Sequence, residues 1–111
     1  METDLSALLA RGAFDCACGR RHEAGIGGVT IAAGARSALP ERLRALGVRR
    51  PFLLADQTTM AAAGEGVRTM LEAAGLPPVC WALPSPRPAP DEGTVGSAVM
   101  HFDRGCDGIV S

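Results

Sequence analysis

An α/β fold, with a mostly parallel sheet covered by helices on both faces, is predicted by three features of the sequence. The apolar runs Phe52–Ala55 and Val79–Leu83 are continuous rather than alternating, as expected of strands buried on both faces, and Cys106–Val110 reads as another buried strand. Segments with apolar residues three and four apart separate these runs, so strands and helices alternate along the chain. Glycines at 47, 75 and 105 follow the three main helical segments, where a residue free to take positive φ ends a helix.

Residues 4–12 read as a short helix with Leu5, Leu8 and Leu9 on one side. Residues 13–28 are glycine-rich and hold Cys16 and Cys18. Val29-Thr-Ile-Ala32 reads as a short strand ended by Gly34. Ser37 is placed to cap a helix with Pro40 in its first turn and Leu39, Leu43 and Leu46 on one face, stopped by Gly47. After the strand at 52–55, a helix over about 59–74 aligns Met60, Ala63, Val67, Met70, Leu71 and Ala74. Strand 79–83 leads into Pro84-Ser-Pro-Arg-Pro-Ala-Pro90, a stiff extended loop because each proline fixes its own φ and restrains its predecessor. Asp91 caps a last helix whose stripe is Val95, Ala98, Val99 and Phe102, and strand 106–110 follows. This divides the chain into an N-terminal helix and cysteine-rich segment, 1–25, and an α/β domain, 26–111.

The totals exclude several classes. The chain has 111 residues, enough for one modest core. With 47% hydrophobic and 21% charged residues it is not compositionally disordered. A net charge of −1, with basic residues scattered, gives no footprint for nucleic acid or an anionic membrane. No apolar stretch is long enough for a membrane span, and Glu2 and Asp4 stand where a leader peptide would be basic. The chain therefore reads as cytoplasmic, and its four cysteines as reduced thiols or metal ligands.

Two sets of residues are candidates for chemistry. Asp56 follows a buried strand, where a carboxylate accepts hydrogen bonds from the vicinal hydroxyls of a nucleotide ribose, favouring NAD over NADP; Thr58 stands beside it. The competing assignment makes Asp56 a turn residue and Thr58 or Thr59 a helix cap. Cys16-Ala-Cys18-Gly-Arg-Arg-His22 spaces two thiols and an imidazole as three ligands for zinc. The competing assignment there is a pair of plain surface thiols. Cys80 and Cys106, in apolar runs, read as small hydrophobes, and His101 as a residue on the polar side of the last helix. Gly25-Ile-Gly-Gly28 has neither the spacing nor the position of a phosphate loop.

Leu39-Pro-Glu-Arg-Leu43, Pro51-Phe-Leu-Leu-Ala-Asp-Gln-Thr-Thr59, the helix start at Pro90-Asp-Glu92 and Cys106-Asp-Gly-Ile-Val110 together resemble an N-terminal nucleotide domain. The resemblance is to the superfamily of glycerol-1-phosphate dehydrogenase, iron-containing alcohol dehydrogenase and 3-dehydroquinate synthase. It covers about residues 26–111 and implies a Rossmann-like domain. There Asp56 would contact the adenosine ribose of NAD, with Thr58 beside it. A glycine-rich loop following the strand at 106–110 would hold the pyrophosphate. A C-terminal helical domain would carry a divalent catalytic metal acting on a polyol phosphate. On this reading the 111 residues are a partial, homo-oligomeric cofactor-binding portion of an oxidoreductase, without catalytic residues of its own and inactive alone. The alternatives are a stand-alone binding module with zinc at Cys16, Cys18 and His22, or part of a dehydroquinate-synthase-like enzyme.

Overall fold

The computed structural model describes residues 5–23 and 25–111. The chain divides into two compact units, Met1–Ala33 and Gly34–Ser111.

The first unit holds helix α1 (Leu5–Arg11) and an antiparallel hairpin of β1 (Phe14–Asp15) and β2 (Arg21–His22). Asp4, the expected helix start, and the side chain of Leu8 lie outside the description. No described residue of this unit is buried. The expected strand at Val29–Ala32 does not form; these residues are irregular, and Ile31 is 79% exposed. Four residues with a strand-like composition make a strand only where a neighbouring strand takes up their backbone groups, and no ladder among the described residues includes them.

The second unit is α/β. A turn of 3-10 helix (Ala35–Ala38) leads into α2 (Leu39–Ala45), then β3 (Pro51–Asp56). A continuous helical stretch follows: α3 (Gln57–Thr59), a π segment (Met60–Gly64) and α4 (Glu65–Ala73). Strand β4 (Val79–Leu83), helix α5 (Glu92–His101) and β5 (Gly108–Val110) complete it. The sheet order is β4-β3-β5, and both pairings are parallel. Phe52 lies opposite Val79 and Ile109, and Leu53 opposite Cys80 and Val110.

Alternation sends neighbouring side chains of β3 to opposite faces, yet Phe52 is 1% and Leu53 4% exposed. Both faces are therefore covered. Leu53 packs in one cluster with Leu43 of α2, Val67 and Leu71 of α4, and Leu76, with Cys80 and Val110 against it. On the other face Phe102, just after α5, meets Phe52 edge-on at 5.1 Å, and His101 stacks on Trp81 at 3.5 Å. His101 thus turns toward the sheet instead of lying on a polar side. Its Nδ1 pairs with the Ser97 carbonyl at 2.8 Å, while the buried Trp81 Nε1 has no hydrogen-bond partner among the described residues.

Helices α2 and α4 end in the same lock. Gly47 and Gly75 both take φ of 77°, a conformation that costs glycine least. Val48 N–H then donates back to the Leu43 carbonyl, and Leu76 N–H to that of Leu71. Each lock delivers an apolar residue to the core immediately after the turn. Ser37 is not a helix cap: its hydroxyl donates to the Gly34 carbonyl instead of accepting from a helix N–H. Asp91 does cap α5, accepting from Thr94 N–H at 2.9 Å. The expected stripe on α5 is split. Ala98 and Phe102 are partly buried, whereas Val95 and Val99 are exposed with Met100 and form an uncovered apolar face.

Position, more than residue type, sets what a leucine contributes. Leu71 is fully buried and Leu46 is 72% exposed. Leu71→Ala is expected to cost about 2–5 kcal/mol and Leu46→Ala less than about 0.5 kcal/mol, read from urea unfolding midpoints. Equal effects would contradict this core.

Candidate functional site

The thiol–imidazole group is built by one short hairpin. Cys16 N–H donates to the Arg20 carbonyl at 2.9 Å, and Gly19 N–H to that of Cys16 at 3.0 Å. Gly19 turns the chain with φ of 86°, which brings Cys18 back over β2. The ligand atoms of Cys16, Cys18 and His22 all lie within 4.8 Å of one another. Cys18 Sγ is 3.0 Å from His22 Nε2. The His22 ring leans on Phe14, its cross-strand partner, and the Arg11 guanidinium covers the Phe14 ring at 4.0 Å. The backbone N–H and side chain of Cys18 hold the Cys16 thiol below its ordinary 9.0, favouring thiolate. Two thiolates on tetrahedral zinc sit about 3.8 Å apart when the zinc–sulfur bonds are about 2.3 Å. The group is therefore already close to the spacing that holds a metal ion.

Cys80 and Cys106 belong to the other unit, and burial pushes both thiols up. Cys80 packs against the core as a small hydrophobe. Cys106 lies before β5, not within it.

Asp56 ends the central strand at its carboxyl end and caps α3. One oxygen, Oδ1, accepts from Thr59 N–H at 2.7 Å and from the Thr59 hydroxyl at 3.0 Å. The Asp56 N–H in turn donates to Thr59 Oγ1, a reciprocal capping box. These bonds hold the Asp56 carboxyl below its ordinary 3.8, with the Thr59 N–H contributing most. The Thr58 N–H lowers the carboxyl further. Thr58 donates its hydroxyl proton to the Pro86 carbonyl at 2.8 Å, leaving only its lone pairs for a ligand. Asp56 itself thus caps the helix, the role the competing assignment gave to Thr58 or Thr59, while the Thr58 hydroxyl bonds the loop after β4. The cleft beyond β4, of about 320 Å³, is lined by Leu83, Ser85, Arg87, Asp91, Thr94 and Ser97. Asp56 and Thr58 do not line it.

Sequence reasoning missed Asp107. Its carboxylate accepts from the N–H groups of Arg49 and Arg50 at 3.1 and 2.9 Å, and its own N–H donates to the Arg50 carbonyl. This fastens the entry of β5 to that of β3 and sets the register of Pro51 opposite Gly108. Gly108 is required by the same junction, since a Cβ there would stand 2.8 Å from the methyls of Val48. The Asp-Gly pair was the available signal, but it also marks ordinary turns.

No family model, curated protein or solved structure matches the chain. No helix among the described residues is long and apolar enough to cross a membrane.

The N–H groups of Arg50 and Arg49 lower the Asp107 carboxyl below its ordinary 3.8. A carboxyl depressed on folding contributes stability above its unfolded pKa and loses it as pH falls through the folded value. Asp107→Asn is expected to flatten the fall in the urea midpoint between about pH 5 and 3. Asp56 and Asp91 are shifted in the same direction, so some slope remains. An unchanged slope in the variant would contradict the assignment.

Proposed function

We propose that residues 26–111 are the opening part of a Rossmann-like dinucleotide layer in an NAD-dependent, metal-dependent polyol-phosphate dehydrogenase. The observation that carries this reading is Asp56: a carboxyl group held below its ordinary 3.8, whose Oδ1 makes the capping bonds, at the carboxyl end of the middle strand of three parallel strands. In chain order those strands run second, first, third across the sheet. That order begins one of the two common doubly wound sheets, whose ligands sit at the carboxyl ends beside the first strand.

In this reading Asp56 Oδ2 accepts a ribose hydroxyl, and its negative charge disfavours a 2′-phosphate. Thr58 contributes an acceptor oxygen at most. NAD would take the hydride from a secondary alcohol, and a divalent metal in a further domain would polarise the oxygen. These 111 residues supply a ribose contact and no pyrophosphate loop, so their affinity for NAD is weak, with Kd about 1 mM or above. Titration of the 15N-labelled chain with NAD is expected to shift the amides of 56–59. NADP should act more weakly, and Asp56→Asn, which keeps a capping oxygen, should abolish the response. Absence of shifts, or the same response in the variant, would overturn the ribose assignment. Micromolar affinity would overturn the incomplete site.

A second reading is favoured by the convergence of Cys16, Cys18 and His22 within 4.8 Å: the first unit is a zinc-binding module. Two thiolates and an imidazole are ligands that suit zinc better than calcium or magnesium. Protein purified in reducing buffer without chelator is expected to carry one zinc per chain, lost in Cys16→Ala. A metal-free wild type that takes up none on zinc addition would overturn it.

A further inference from the structure

The chemistry of the Cys16–Cys18–His22 group can be taken further on the zinc reading, on which this step rests. Structural zinc sites are closed by four protein ligands, whereas three protein ligands leave a position for water or substrate. Among the described residues the cluster has three members. The other described acids of this unit are Asp15 and Glu23. Neither joins the cluster, and Asp15 is ion-paired with Arg21 at 3.2 Å. All three donors come from the seven residues 16–22 of one hairpin. A turn that short reaches around only one side of an ion. Cys18 and His22 are exposed and no described residue of the unit is buried, so solvent reaches the site.

We infer that zinc held by Cys16, Cys18 and His22 keeps its fourth position exchangeable, occupied by water and open to the thiolate of a small-molecule thiol. Two thiolates cancel the charge of the ion. A zinc ion already carrying two sulfurs selects a further soft donor over a carboxylate. The exchange is balanced without any change of oxidation state: the zinc–water bond breaks, a zinc–sulfur bond forms, and the thiol proton passes to solvent. A deprotonation of this kind makes the binding stronger as pH rises.

Cobalt(II) loaded into the full chain in place of zinc tests this, because thiolate-to-cobalt charge transfer counts the sulfurs. Addition of 2-mercaptoethanol is expected to raise that absorption saturably, by about one half as two thiolates become three, with cobalt still bound to protein after desalting. Cys18→Ser and His22→Gln should each weaken cobalt binding. X-ray absorption of the zinc form should show two sulfur and two lighter scatterers, and three sulfurs after the thiol is added. A cobalt spectrum unmoved by the thiol, or cobalt stripped from the chain by it, would overturn the exchangeable position while leaving metal binding intact. Failure of the wild-type chain to bind cobalt at all would overturn the zinc reading, and this inference with it.

Discussion

Strand β3 is the one element of the second unit that is paired along both edges and buried on both faces. Phe52 and Leu53 point opposite ways and are both excluded from water, so helices are needed on each side of the sheet. Fully burying a side chain of this size stabilises by about 1.5–3 kcal/mol. That gain is realised only if α2 and α4 cover one face while the end of α5 covers the other. Parallel neighbours follow from the same layout, because each return to the sheet passes through a helix. The carboxyl end of β3, and Asp56 with it, is held in place by this packing.

Much of this layer was readable in advance because its signals are local. Continuous apolar runs marked β3 and β4, glycines 47 and 75 marked the ends of α2 and α4, and Asp91 marked the start of α5. What escaped depends on partners distant in sequence. Val29–Ala32 has the composition of a strand but joins no ladder among the described residues. The stripe on α5 was drawn through Val95 and Val99, which face outward, because periodicity does not say which side of a helix meets the sheet. Asp107 reads as one residue of the last strand until the backbone of Arg49 and Arg50, nearly sixty positions away, arrives above it. Thr58 reads as available until Pro86, 28 residues on, accepts its proton.

The two candidate sites contrast in the same way. The thiol–imidazole group was legible because seven consecutive residues contain every ligand, and a tight turn with Gly19 left-handed gathers them. Their environment was less legible: Phe14 behind His22, Arg11 above Phe14, and the Cys18 N–H aimed at the Cys16 sulfur. Asp56 was legible as an acid after a strand, but the same carboxylate that suggests ribose binding also caps a helix. The two roles are compatible because a carboxylate has two oxygens, and the Thr59 bonds fall on Oδ1.

The pairing of β3 supports the reading of Asp56 and can be observed without any ligand. Through-space proton contacts and scalar couplings across hydrogen bonds, measured on a deuterated sample, report strand direction and register directly. The account predicts parallel contacts of Phe52 with Val79 and Ile109 and of Leu53 with Cys80 and Val110. Antiparallel contacts around β3, or a direct pairing of β4 with β5, would move Asp56 off the carboxyl edge and contradict it.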